Sequence, residues 1–101
     1  MATKEEEVKA MLRTQLAKAA HLLKGHQVVL FGSRARGAAR PRSDFDVGVY
    51  GDEPLPLRDF YAVEDLLDEL PTLYTIEWVD LNRVGAGFRH RAMQHTEVLY
   101  E

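Results

Sequence analysis

The sequence predicts an α/β (α+β) domain in which a small sheet, of three strands or slightly more, is covered by helices. Three observations carry that prediction. Two segments, Val8 to Leu23 and Phe60 to Leu70, place apolar residues at helical spacing. Three short runs, QVVLF, DFDVGVY and LYTIEWVDL, are rich in β-branched and aromatic residues. Turn residues separate the segments, and the alternation of helix and strand points to helices packed on a sheet.

Thr3 followed by Glu6 forms a capping-box pattern, so a first helix is expected from about Thr3 to Lys24, with Gly25 stopping it. QVVLF is too short for a helix and ends in Gly32-Ser33, which suits a buried strand. The alanines and arginines after Ser33 favour a short helix that Gly37 and Pro41 end quickly. DFDVGVY alternates, with Phe45, Val47 and Val49 on one face and Asp44, Asp46 and Gly48 on the other. GDEPLP reads as a loop, Leu57 to Leu70 as a second amphipathic helix closed by Pro71, and LYTIEWVDL as a third strand. Phe88 and Met93 belong to a last short helix, and EVLY is an edge strand or a tail.

A chain of 101 residues builds one core, so a single domain spanning 1–101 is expected. The apolar fraction of 46% places it among globular chains, away from disordered ones. It has no cysteine, which excludes disulfides and thiolate metal sites. Its first residues are acidic where a secretory signal is basic and then apolar, and no run approaches the ~18 apolar residues of a membrane span. A cytoplasmic location and no membrane partner follow as expectations.

The net charge of −3 disfavours a general role in binding nucleic acid, whose partners usually present a basic face. Affinity for phosphate has to be local, and Arg34, Arg36, Arg40 and Arg42 concentrate positive charge in one stretch. That stretch, FGSRARGAARPRSDFDVGVY, also holds the densest chemistry. On a strand, residues two apart project to one face with Cβ atoms roughly 6.5 to 7 Å apart, so Asp44 and Asp46 reach into one volume. Paired carboxylates suit a hard divalent cation such as Mg²⁺, which takes a few carboxylates plus substrate phosphates. Gly32 lets a phosphate approach the backbone, Ser33 adds a hydroxyl donor, and arginines form forked bonds to phosphate oxygens. Each part alone reads as a polar sheet face, an ordinary turn or a solvated loop. Their joint spacing describes a site for a nucleoside triphosphate.

GSRARGAARPRSDFDVGV resembles the signature of the DNA polymerase β-like nucleotidyltransferases, in particular the minimal nucleotidyltransferases of bacteria and archaea. The resemblance extends to the Leu99-Tyr100 ending. It implies a mixed sheet flanked by helices and transfer of a nucleoside monophosphate, AMP from ATP, to an acceptor hydroxyl. It assigns the triphosphate to Gly32 and Ser33, and two Mg²⁺ ions to Asp44, Asp46 and a third carboxylate on a later strand; Arg34, next to the Gly-Ser turn, and Ser43 are expected at the nucleotide as well. Aligned on IEWVDL, Glu77 takes that third position and Asp80 the trailing one, with Glu adding a methylene to the usual Asp. Many proteins of this group sit beside a HEPN-domain protein, and some attach AMP to a tyrosine of a HEPN toxin. A HEPN partner is therefore expected, with nucleic acid possible but not favoured.

The remaining features have plainer readings. His21, His26, His90 and His95 form no pair at i, i+4, so solvated or partly buried side chains are expected. Tyr74 and Trp78 read as packing residues, and the acids from Asp59 to Glu69 as a solvated helix face. Arg36, Arg40 and Arg42 are left open between nucleotide, nucleic acid and an acidic partner. A module that binds nucleotide or neutralises a partner without turnover is the alternative to an enzyme.

Overall fold

Thr3 opens the first helix by accepting a hydrogen bond from the Glu6 N–H at 3.1 Å, as the capping pattern predicts. The computed structural model describes residues 3–101, and helix α1 runs Lys4–Lys18. It is shorter than its apolar spacing suggests. The Ala19 N–H bonds back to the Leu16 carbonyl at 2.9 Å, tightening the chain into a 3₁₀ turn over Ala20–Leu22. Leu23 is still buried, so the spacing reports burial beyond the point where the α-helix ends. Gly25, at φ +77°, then turns the chain into strand β1, His26–Phe31.

Helix α2 is a single turn, Ser33–Arg36, stopped by Gly37 in the left-handed conformation at φ 71°. Strand β2 follows at Phe45–Gly51, helix α3 at Leu57–Asp68 and strand β3 at Ile76–Asp80. Helix α4, Ala86–Met93, leads to strand β4, Glu97–Tyr100, so EVLY is a strand at the sheet edge.

The four strands lie in the order β3-β2-β1-β4. The β1–β2 and β1–β4 pairs are antiparallel and β2–β3 is parallel, which makes the sheet mixed. Helices α1 and α3 cover one face, where Val8, Leu12, Leu16, Val63 and Leu67 pack on Val28, Leu30, Phe45, Val47 and Val49. A smaller cluster of Val29, Phe31, Leu81 and Ala92 occupies the other face beneath α4. Among the described residues no helix is long and apolar enough to cross a membrane.

Candidate active site

The β2–β3 register brings the predicted carboxylates together. Asp46 is paired with Glu77 across the parallel ladder and with Phe31 across the antiparallel one. Paired residues share a face, and neighbouring strands lie about 4.8 Å apart. Asp46 and Glu77 therefore project together from the face that carries α4. Asp44 lies two residues earlier, with the same parity as Asp46. Asp80 has the opposite parity and is buried under the other layer. Its carboxylate accepts bonds from the Leu55 N–H at 3.0 Å and the Asn82 N–H at 2.9 Å and pairs with Arg83 at 3.4 Å. It fixes the loop ahead of α3.

Gly32 sits against Asp46. Its φ is +73°, and a Cβ there would run into the Asp46 Oδ2, so both conformation and space call for glycine. Gly32, Arg36, Asp44, Asp46 and Glu77 line one cleft of about 530 Å³. Phe31 and Val79 form its floor on the sheet, and Phe88, Arg91, Ala92 and His95 form the wall contributed by α4 and the residues just after it.

The charge in this cleft is only partly balanced. Burial pushes the Asp46 carboxyl above its ordinary value of 3.8, the negative charges of Asp44 and Glu77 push it the same way, and Arg36 opposes them. Arg36 and Arg91 form no ion pair with a carboxylate among the described residues. No three acidic or imidazole side chains among those residues are drawn close enough to cage a cation unaided. Mg²⁺ rarely uses such a cage, because it retains waters and takes one or two carboxylates plus substrate phosphates. Crowded carboxylates that hold Asp46 toward its protonated form fit a cation arriving with a phosphate ligand.

Arg34 lies elsewhere. Its side chain is buried on the α1 side of the sheet, donating to the Pro41 carbonyl at 3.1 Å, the Ser43 carbonyl at 2.7 Å and Glu5 at 3.2 Å. Its guanidinium lies 4.4 Å above the Phe45 ring and 5.2 Å from that of Tyr74. The expected phosphate contact is corrected accordingly: residues two apart on a helix project to nearly opposite sides, so Arg34 is bonded away from the cleft while Arg36 lines it. Ser43 does not line the cleft either. Its hydroxyl accepts the Arg40 N–H at 2.9 Å and its carbonyl accepts from Arg34, so both hold the loop. Ser33 starts α2 beside Gly32 without lining the cleft.

The α4 wall escaped the sequence reading. Phe88, Arg91, Ala92 and His95 recur at i, i+3, i+4 and i+7, the spacing of one helical face, but a mixed aromatic, cationic and small face is not an apolar stripe.

The chain matches the family described as Polymerase beta, Nucleotidyltransferase over residues 7–101. The protein belongs to this nucleotidyltransferase family. No curated protein sequence gives a match. A minimal nucleotidyltransferase of solved structure is similar at 27% identity and TM-score 0.64, with 94% of this chain and 95% of that one covered. A toxin–antitoxin complex with AMP-PNP includes a chain of similar fold at 19% identity and TM-score 0.63, covering 87% of this chain and 72% of that chain. A tri-AMPylated Shewanella oneidensis HEPN toxin in complex with an MNT antitoxin gives 16% identity, TM-score 0.61 and coverage of 91% and 71%. At those two identities the likeness is one of fold. The mixed four-stranded sheet with flanking helices is thus the nucleotidyltransferase fold of this family.

Proposed function

We propose that this nucleotidyltransferase transfers AMP from ATP, with Mg²⁺, to the hydroxyl of an acceptor protein, a tyrosine of a HEPN toxin. The observation that supports the reading most directly is the meeting of Asp44, Asp46 and Glu77 with Gly32 and Arg36 in one cleft. The HEPN acceptor is suggested by the fold likeness to the antitoxin of the AMPylated toxin complex.

In this reading Asp44 and Asp46 hold the cation that arrives with the triphosphate, and Glu77 closes the same side of the cleft. Bound there, the cation would supply charge stabilisation to the α-phosphoryl group in transfer and would lower the pKa of the acceptor hydroxyl. Gly32 leaves the backbone open to phosphate oxygens, and Arg36 neutralises them with forked hydrogen bonds. The acceptor oxygen forms a bond to the α-phosphorus, the bond to the bridging oxygen breaks, pyrophosphate leaves and the hydroxyl proton passes to water. Positioning and electrostatics supply most of the acceleration in such transfers.

Incubation with α-labelled ATP, Mg²⁺ and the candidate toxin tests this reading. Label is expected on the toxin and is expected to vanish with EDTA or with Asp44→Asn. Glu77→Gln is expected to lose transfer while Asp80→Asn retains it below its melting temperature. Transfer that survives Glu77→Gln but not Asp80→Asn would remove Glu77 from the site. Tight complex formation with no label at all would establish neutralisation by contact.

A further inference from the structure

Arg91 has no ion-pair partner that accounts for its place in the cleft, and Phe88 leaves much of its ring uncovered there. Arg91 lines the same cleft as Arg36, Asp44, Asp46 and Glu77, and it makes no ion pair among the described residues. Its guanidinium lies back along α4 over Gly87, where an added Cβ would meet Nη1 at 3.5 Å. Lying along its own helix with no carboxylate paired to it among the described residues, Arg91 is free to bind an anion that enters the cleft.

Phe88 remains 42% exposed although it is a large apolar side chain. It is anchored edge-on against buried Phe31, with ring centroids 6.1 Å apart at 84°. Phe31 is the cross-strand partner of Asp46, so the anchored ring covers the same sheet face from which the carboxylates project. An open aromatic ring on the wall of the cleft offers a stacking surface that any planar base can use.

We propose that α4 is the nucleotide-facing wall of the cleft, with Arg91 binding polyphosphate oxygens and Phe88 stacking on the base. The assignment rests on the nucleoside triphosphate reading above. It divides the ligand: Arg36 and Arg91 grip the anionic chain from two sides, and Phe88 takes the aromatic end. Arg89, on the same helix, carries the same charge but does not line this cleft, and so provides a matched control.

Calorimetric titration of the full chain with ATP and with inorganic tripolyphosphate, both with Mg²⁺, tests the division. Arg91→Gln is expected to weaken both ligands about tenfold, the scale of one charge-assisted hydrogen bond. Phe88→Leu keeps an apolar contact to Phe31 but loses the ring, and is expected to weaken ATP several-fold while leaving tripolyphosphate unchanged. Arg89→Gln is expected to change neither. Arg91→Gln that binds like Arg89→Gln, or Phe88→Leu that weakens tripolyphosphate as much as ATP, would overturn the assignment. Wild-type protein that binds no ATP would overturn the functional reading with it, whereas wild-type binding and AMP transfer retained by both variants would overturn α4 alone.

Discussion

The two faces of the sheet are built from the same strands and do opposite things. On the α1 and α3 face, Phe45, Val47 and Val49 of β2 are fully buried against Leu12, Leu16 and Val63. On the α4 face, the intervening Asp46 carries a carboxylate that burial and its acidic neighbours disfavour. Alternation along one strand thus separates the packed core from the cleft lining at intervals of a single residue. The same division runs through α2. Arg34 is buried and bonded on the first face, and Arg36, two residues on, is exposed on the second.

The largest expected effect tests that separation directly. Asp46→Asn is expected to lower AMP transfer by at least ~10²-fold, the scale for losing one preorganised electrostatic contact. The same variant is expected to melt above the wild type, because it removes a destabilised charge from the folded state. The sign of the pH effect agrees. The folded-state pKa of Asp46 lies above the unfolded value, so the folded protein holds the extra proton between the two. Wild-type stability therefore gains from this group as pH falls through its raised pKa, and that gain is complete below the ordinary 3.8. Asp46→Asn is expected to lack the gain. A variant that lost both transfer and melting temperature would show that the carboxylate supports the fold.

The arginine pair gives the next largest effect. Arg34→Ala removes a guanidinium that holds two loop carbonyls, Glu5 and two aromatic rings, and is expected to cost about 3 kcal/mol. In a domain of this size that lowers the melting temperature by roughly 15 °C. Arg36→Gln is expected to shift stability by no more than ~0.5 kcal/mol, as for other exposed sites. It is also expected to raise the Asp46 pKa further, since Arg36 opposes the rise, and carboxyl chemical shifts followed against pH would read this. Equal destabilisation by the two substitutions would erase the distinction between the faces.

Much of this division was legible in the residues. Parity assigned Asp44 and Asp46 to one face and Phe45, Val47 and Val49 to the other, and it separated Glu77 from Asp80. Such assignments follow from a period of two and need no tertiary information. The arginines resisted the same logic. Arg34 and Arg36 lie in a helix of one turn, too short to show a periodic face, and Arg34 is held by Glu5, Pro41, Ser43, Phe45 and Tyr74, partners from several segments. The end of α1 was missed because apolar spacing continues through the 3₁₀ turn, where Leu23 stays buried without an α-helical ladder. The α4 wall was missed for a related reason: Phe88, Arg91 and His95 line the cleft only because α4 crosses the sparsely covered face.

An effect smaller than the loss of Arg34 is expected on the well-packed side, where α1 is tied to β4. Lys9 is buried, and its Nζ meets Glu97 at 3.0 Å, with Glu5 and Glu6 each at 3.6 Å; Arg13 meets the other Glu97 oxygen at 2.8 Å. Burial alone would push the Glu97 carboxyl up, but hydrogen bonds from Lys9 and Arg13, with their charges, hold it below its ordinary 4.5. This contribution is present above 4.5 and is lost as pH falls through the lowered pKa, opposite in sign to that of Asp46. Glu97→Gln is expected to cost about 1 kcal/mol or less at neutral pH, since Glu5 and Glu6 still face Lys9 and the pair is partly exposed. Urea melts between pH 3 and 7 are expected to show Glu97→Gln losing less stability on acidification than the wild type, and Asp46→Asn losing more. Parallel shifts of the two variants would mean that the faces do not titrate against each other.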